Sequence, residues 1–223
     1  MQTFATTAPV STVLDIPAGR IRFIAADRTD TTVEVRPANA AKSRDAKAAE
    51  EVTVDFRDGI LRIEAAPAKN RLLGNSGSVE VTVQLPAGSH VQAKAALAEL
   101  RGVGRLGDVT FEGAQATVKL DETAAAHLTL QAGDITIGRL AGPTTLRTHK
   151  GDIHITDAAR GKAELHTQHG DITVTTTRGA SATLDAHTAY GSIHNSLRNT
   201  EGPDAELNIH ATTGYGDITA RSN

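Results

Sequence analysis

The sequence predicts an all-β chain: a right-handed parallel β-solenoid, or β-helix, entered from a region of N-terminal β-strands. Three observations carry that reading. A glycine-led phrase recurs with a period of about twenty residues in the second half of the chain. Apolar and polar residues alternate with period two through most of the rest. The apolar inventory is Ala, Val, Ile and Leu, with 3% aromatic residues and no Trp in 223 residues. Narrow coils have no room inside for large rings, so the repeat and the poverty in aromatics agree.

The first hundred residues read as short, half-buried strands: Ser11 to Ile16, Arg20 to Ala25, Thr32 to Val35, Val52 to Phe56, Ile60 to Ile63 and Val79 to Leu85. Pro17-Ala18-Gly19, Asp27 to Asp30 and Arg57-Asp58-Gly59 supply the breaks between them. Ala38 to Glu51 has helical composition without an apolar stripe, which predicts a surface turn of helix or a loop. Pro67 to Ser78, rich in Gly, Asn and Ser, reads as a mobile connection. Residues 1–100 are thus expected to form an N-terminal strand region continuous with solenoid repeats over 101–223, together one elongated domain.

The repeat itself is explicit. Its copies are Gly107-Asp108-Val-Thr-Phe, Gly133-Asp134-Ile-Thr-Ile, Gly151-Asp152-Ile-His-Ile, Gly170-Asp171-Ile-Thr-Val, Gly191-Ser192-Ile-His-Asn and Gly216-Asp217-Ile-Thr-Ala, with glycines 26, 18, 19, 21 and 25 residues apart. Each glycine suits a turn with positive φ, each Asp can bond nearby backbone, and each phrase then enters a strand. A second strand precedes each glycine, with apolar or small residues five and three positions before it, such as Leu146 and Thr148 or Leu165 and Thr167. Two short strands per unit cannot bury their apolar face alone, whereas stacked units give a continuous interior column.

These phrases, together with Val13-Leu14-Asp15-Ile16-Pro17-Ala18-Gly19-Arg20-Ile21 and Val81-Thr82-Val83-Gln84-Leu85-Pro86-Ala87-Gly88, resemble the DUF4097 family of bacterial β-strand-repeat, adhesin-like proteins over nearly the whole chain. The resemblance implies a fold. It brings no catalytic residues with it.

Candidate chemistry is sparse. Gly102-Val-Gly104-Arg-Leu-Gly107 matches a dinucleotide fingerprint, but strand rather than helix follows it, so the glycines are read as turn residues at the first corner. Eight of the nine histidines lie between 127 and 210. In register on the glycines, His166 and His187 fall four positions before Gly170 and Gly191, while His154 and His194 fall three after Gly151 and Gly191. Their parity is opposite to the apolar positions, so they are expected to face solvent, with His166 and His187 stacked on adjacent coils between Arg147 and Thr212. That column has no third ligand, and no metal or other cofactor is expected. The aspartates of the phrases are expected to cap turns. Tyr190 and Tyr215, each just before a repeat glycine in consecutive coils, are expected side by side at a corner, packing on each other or on a planar ligand.

Composition excludes further classes. The net charge of −3 offers no excess to attract nucleic acid or an anionic surface. With no Cys there is neither disulfide, thiol catalysis nor thiolate metal site. The start has no basic n-region and no apolar run is long enough to span a membrane, which gives the expectation of a cytoplasmic chain. The expected role is a non-catalytic scaffold or interaction protein, with a protein partner or self-association through the solenoid end. Two alternatives stand beside it: an enzyme or ligand-binding protein using a groove lined by His and Asp, and a self-assembling element of bactofilin-like architecture.

Overall fold

In the computed structural model, which describes residues 1–66 and 77–223, the period-two segments are strands and the glycine phrases from Gly133 onward are corners joining them. The connection expected over Pro67 to Ser78 lies, apart from Gly77 and Ser78, outside the described residues. The chain divides into two units, Met1–Ala116 and Thr117–Asn223.

The first unit holds β1 (Gln2–Ala5), β2 (Ser11–Ala26), β3 (Asp30–Pro37), α1 (Ser43–Glu50), β4 (Val52–Arg57), β5 (Ile60–Ala65), β6 (Val79–Pro86) and the start of β7 (His90–Ala132). The two strands expected on either side of Pro17-Ala18-Gly19 are one run, β2. Its backbone stays paired through the Gly19 corner because the first part of β7 lies parallel along it, from Ser11 opposite His90 to Ile24 opposite Val103. On its other edge, β2 pairs first with β5 and then with β6, both parallel. Antiparallel pairings of β3 with β6 and with β1 extend the sheet. Asp58 and Gly59 both have positive φ, as a two-residue hairpin between β4 and β5 requires. Leu14, Phe23, Leu61, Ile63, Val83 and Leu85 form the heart of this core. The alanine-rich segment is indeed a short helix, α1, whose one buried residue, Asp45, accepts the Ser78 N–H at 3.1 Å.

The second unit is two parallel ladders. After the end of β7 come β8 (Ile135–Leu140), β9 (Thr144–Lys150), β10 (Ile153–Ala158), β11 (Gly161–His169), β12 (Ile172–Thr176), β13 (Ala182–Tyr190), β14 (Ile193–Ser196), β15 (Leu207–Tyr215) and β16 (Ile218–Ser222). One ladder runs β7–β9–β11–β15–β13 and the other β7–β8–β10–β12–β16–β14. In-register columns result, such as Ile135, Ile153, Ile172, Ile218, which are all buried.

Each corner is locked to the next by the same four contacts. The Gly N–H donates to the carbonyl of the residue before the neighbouring glycine, as Gly151 does to His169 at 2.9 Å and Gly170 to Tyr215 at 2.9 Å. The Ile N–H donates to the neighbouring Asp carbonyl, as Ile153 does to Asp171 at 2.9 Å. In the opposite sense, each Asp N–H donates to the preceding Asp carboxylate: Asp152 to Asp134 (2.9 Å), Asp171 to Asp152 (2.8 Å), Asp217 to Asp171 (2.8 Å). Finally, a buried Thr hydroxyl caps the preceding glycine carbonyl, Thr167 to Gly151 and Thr213 to Gly170, both at 3.0 Å. Gly151 (φ +142°) and Gly170 (φ +148°) are left-handed, and a Cβ on either would overlap the previous corner's carbonyl oxygen.

Two expectations need correction. Gly107 is not a left-handed corner: Gly104 carries the positive φ, the Gly107 N–H bonds the Ser89 carbonyl, and the Asp108 N–H bonds His90 Nδ1. The first phrase therefore stacks on a histidine rather than on another carboxylate. Nor do the coils stack in chain order. The last strands of the chain, β15 and β16, are inserted between β11–β12 and β13–β14, so the coil of residues 182–196 is outermost.

Side chains explain that order. A coil inside the stack must present a carboxylate to the next coil's amide and an apolar residue two positions beyond its repeat Ile. The 207–222 coil supplies Asp217 and Ala220. In the 182–196 coil those places hold Ser192 and Asn195, which fit only where no further coil follows. Replacing Asp171 by Ala, which deprives the Asp217 amide of its acceptor, is expected to cost about 1–2 kcal/mol in urea unfolding. Ser192→Ala, at the end of the ladder, is expected to stay within about 0.5 kcal/mol of the parent.

Candidate functional site

The outward residues of β9, β11, β15 and β13 form rows across the ladder. One row runs Thr145, Glu164, His210, Asp185, and the next Arg147, His166, Thr212, His187. The expected contact of His166 with His187 is therefore not made. Thr212 stands between them because the last coil is inserted there. His154 and His194 likewise share a row, but Thr173 and Thr219 separate them. Arg147, His166, His187 and His194 are exposed and His154 is half-buried, consistent with their parity. Among the described residues, no group of three His, Asp or Glu side chains is placed to hold a metal ion.

Within the first row the charges pair locally. His210 Nδ1 lies 3.2 Å from Asp185 Oδ2. Lys162, 2.7 Å from Glu164, hydrogen-bonds that carboxyl and holds it below the usual carboxylate range, with smaller help from Arg147 and His210. These are solvated pairs on an open face.

At the corner the structure does bring predicted residues together. Tyr190 and Tyr215 are stacked, with centroids 4.8 Å apart and planes 5° apart. His169 adds a third ring on the other side of Tyr215, at 5.0 Å and 12°. His169 is not among the candidate residues named from the sequence. The usable signal was its position immediately before a repeat glycine, the same one that Tyr190 and Tyr215 occupy. Tyr215 is sandwiched between two rings, whereas the far face of Tyr190 has no ring upon it among the described residues.

That far face belongs to an open edge. Among the described residues, β13 pairs only with β15, and β14 only with β16. The Leu207 N–H donates to the Ser181 carbonyl, so parallel alternation turns the amides of Ala182, Leu184, Ala186 and Thr188 outward. The Arg198 carbonyl meets the first of these, at 3.1 Å. Tyr190 (66% exposed) and Ile193 (44%) sit on the same outermost coil, although the same column holds a buried Ile in each of the four coils next beneath, Ile218, Ile172, Ile153 and Ile135. Backbone donors, a ring face and an aliphatic side chain are thus presented side by side.

If the rings serve packing, Tyr215→Ala removes two stacks and Tyr190→Ala one. Losses of about 1–3 and about 0.5–1.5 kcal/mol respectively are expected in thermal or urea unfolding. Equal, negligible losses would show that the ladder is not there for stability.

Three solved structures are similar to the chain at low identity. One, described as a "putative adhesin" from Bacteroides fragilis, is 15% identical, covers 98% of this chain and 95% of its own, and has a TM-score of 0.58. A "putative cell adhesion protein" from Clostridium sporogenes is 11% identical over 100% of this chain and 98% of its own, with a TM-score of 0.42. A "putative adhesin" from Parabacteroides distasonis is 14% identical over 98% and 95%, with a TM-score of 0.40. At 15% identity and a TM-score of 0.58, the likeness to the first is one of fold alone. No curated protein matches the chain. The sequence model of the Toastrack DUF4097 family matches residues 11–222, and the chain belongs to that family.

Proposed function

We propose that this chain is a non-catalytic interaction scaffold, adhesin-like in that it works through a surface, and that its partner adds a β-strand to the outer edge of the 182–196 coil. The observation that supports this is the edge itself, unpaired among the described residues and carrying outward amides together with the exposed Tyr190 and Ile193. Natural edge strands are ordinarily blunted by Lys, Pro, a bulge or a covering loop. Here the loop closes only the first rung, at Ala182, and the pairings of β13 and β14 run without a bulge. An added strand would satisfy the remaining amides and cover the ring face, as in β-augmentation generally. Right-handed winding of the coils, the sense preferred for parallel crossovers, belongs to the same reading.

A labelled peptide of residues 205–222, whose β15 and β16 segments already pair with this coil from its inner side, is a suitable probe. Saturable binding by fluorescence anisotropy is expected. It should be lost in Ala186→Pro, which removes an outward amide, and in Ile193→Lys, which charges the edge. Absence of saturable binding at dilutions where the chain is monomeric, or equal binding to both variants, would refute strand addition at this edge.

A further inference from the structure

The same edge has features of a surface that pairs with itself. Between Arg178 and Arg198 the only charged residue is Asp185. A self-complementary contact sets each charge against a copy of its own surface, so it tolerates few charges and needs those few matched. Asp185 and His187 are both exposed, lie two residues apart on β13 and so share its outward face.

We infer that the partner of this edge is a second copy of the chain, joined across a two-fold axis by antiparallel pairing of β13 with β13, centred on Ala186. The inference rests on the proposed role of the edge and names the occupant. Antiparallel strands exchange hydrogen bonds between residues whose amides face each other. On β13 these are the even-numbered residues, so a two-fold centred on Ala186 pairs Ala186 with itself and Leu184 with Thr188. The intervening non-hydrogen-bonded pair, where opposed side chains approach most closely, then sets Asp185 against His187 of the other copy, twice by symmetry. The Asp185 carboxylate accepts from the His187 ring while keeping its contact with His210, 3.2 Å away in its own chain. A centre one residue earlier would oppose Asp185 to itself, a like-charge pair. A centre one residue later would oppose His187 to itself and leave Asp185 facing Ala189. Only the Ala186 centre matches the charge.

The absence of cysteine makes the register directly readable. Asp185→Cys and His187→Cys are prepared separately, mixed, and oxidised with diamide, opposed positions being within disulfide reach. The mixture is expected to yield covalent dimer at least about tenfold faster than either variant alone, with the parent a dimer by light scattering. His187→Asp should weaken the dimer on the order of tenfold, and Asp185→His with His187→Asp should restore it, with urea midpoints reporting that each variant is folded. A parent that stays monomeric at hundreds of micromolar overturns the inference. So does Asp185→Cys linking to itself as fast as the mixture, or growth into filaments rather than a closed pair. A monomer that still binds the 205–222 peptide removes the second copy alone; a monomer that does not bind it removes the edge as well.

Discussion

Everything in the second unit depends on bringing two glycine corners within a strand spacing of each other. At that distance a backbone turn has its amides and carbonyls crowded against those of the next coil, and each must be met. The repeat phrase meets them with one residue apiece: Gly leaves room, Asp accepts the next coil's Asp amide, Ile donates along the ladder from its backbone and fills the interior with its side chain, and the earlier Thr caps the glycine carbonyl. Gly170 shows all of this at once, bonded to Tyr215 through its amide and to Thr213 through its carbonyl. Stacked aspartates would repel if they faced one another as free carboxylates. They are arranged instead as a chain of acceptors, each serving the amide of the coil above.

A stack held together this way has a direction, and its end is chemically distinct. The carboxylate ladder stops at Ser192, whose amide takes the Asp217 carboxylate at 2.7 Å. Asn195 and a 44% exposed Ile193 stand where the coils beneath keep buried apolar residues. These substitutions are what place the 182–196 coil outermost even though another coil follows it in the chain. The end so marked is also where exposed apolar surface and open backbone coincide, so the constraint that builds the fold also sets the place of the proposed interaction edge. The outward rows have no such constraint. Their residues change from coil to coil, from Arg147 to His166 to Thr212 to His187, and their charges are satisfied by neighbours such as Lys162 with Glu164.

Much of this architecture was legible in the chain because a corner imposes residue types locally. Period-two strands, the five stacked glycine corners from Gly133 onward, the capping aspartates, the solvent-facing histidines and the adjacency of Tyr190 with Tyr215 all follow from spacing within a single unit. What spacing within a unit does not contain is the order in which units stack. Coils of residues 161–176, 182–196 and 207–222 share the same columns, so any of them can follow another in register, and chain order suggests a contact of His166 with His187 that does not form. Tertiary structure decided that order, because only the assembled stack weighs Asp217 and Ala220 against Ser192 and Asn195 in an interior position. It likewise brought His169 into the ring ladder and turned the Tyr190 face and the β13 amides outward, since which coil is last is a property of the stack and of no single repeat.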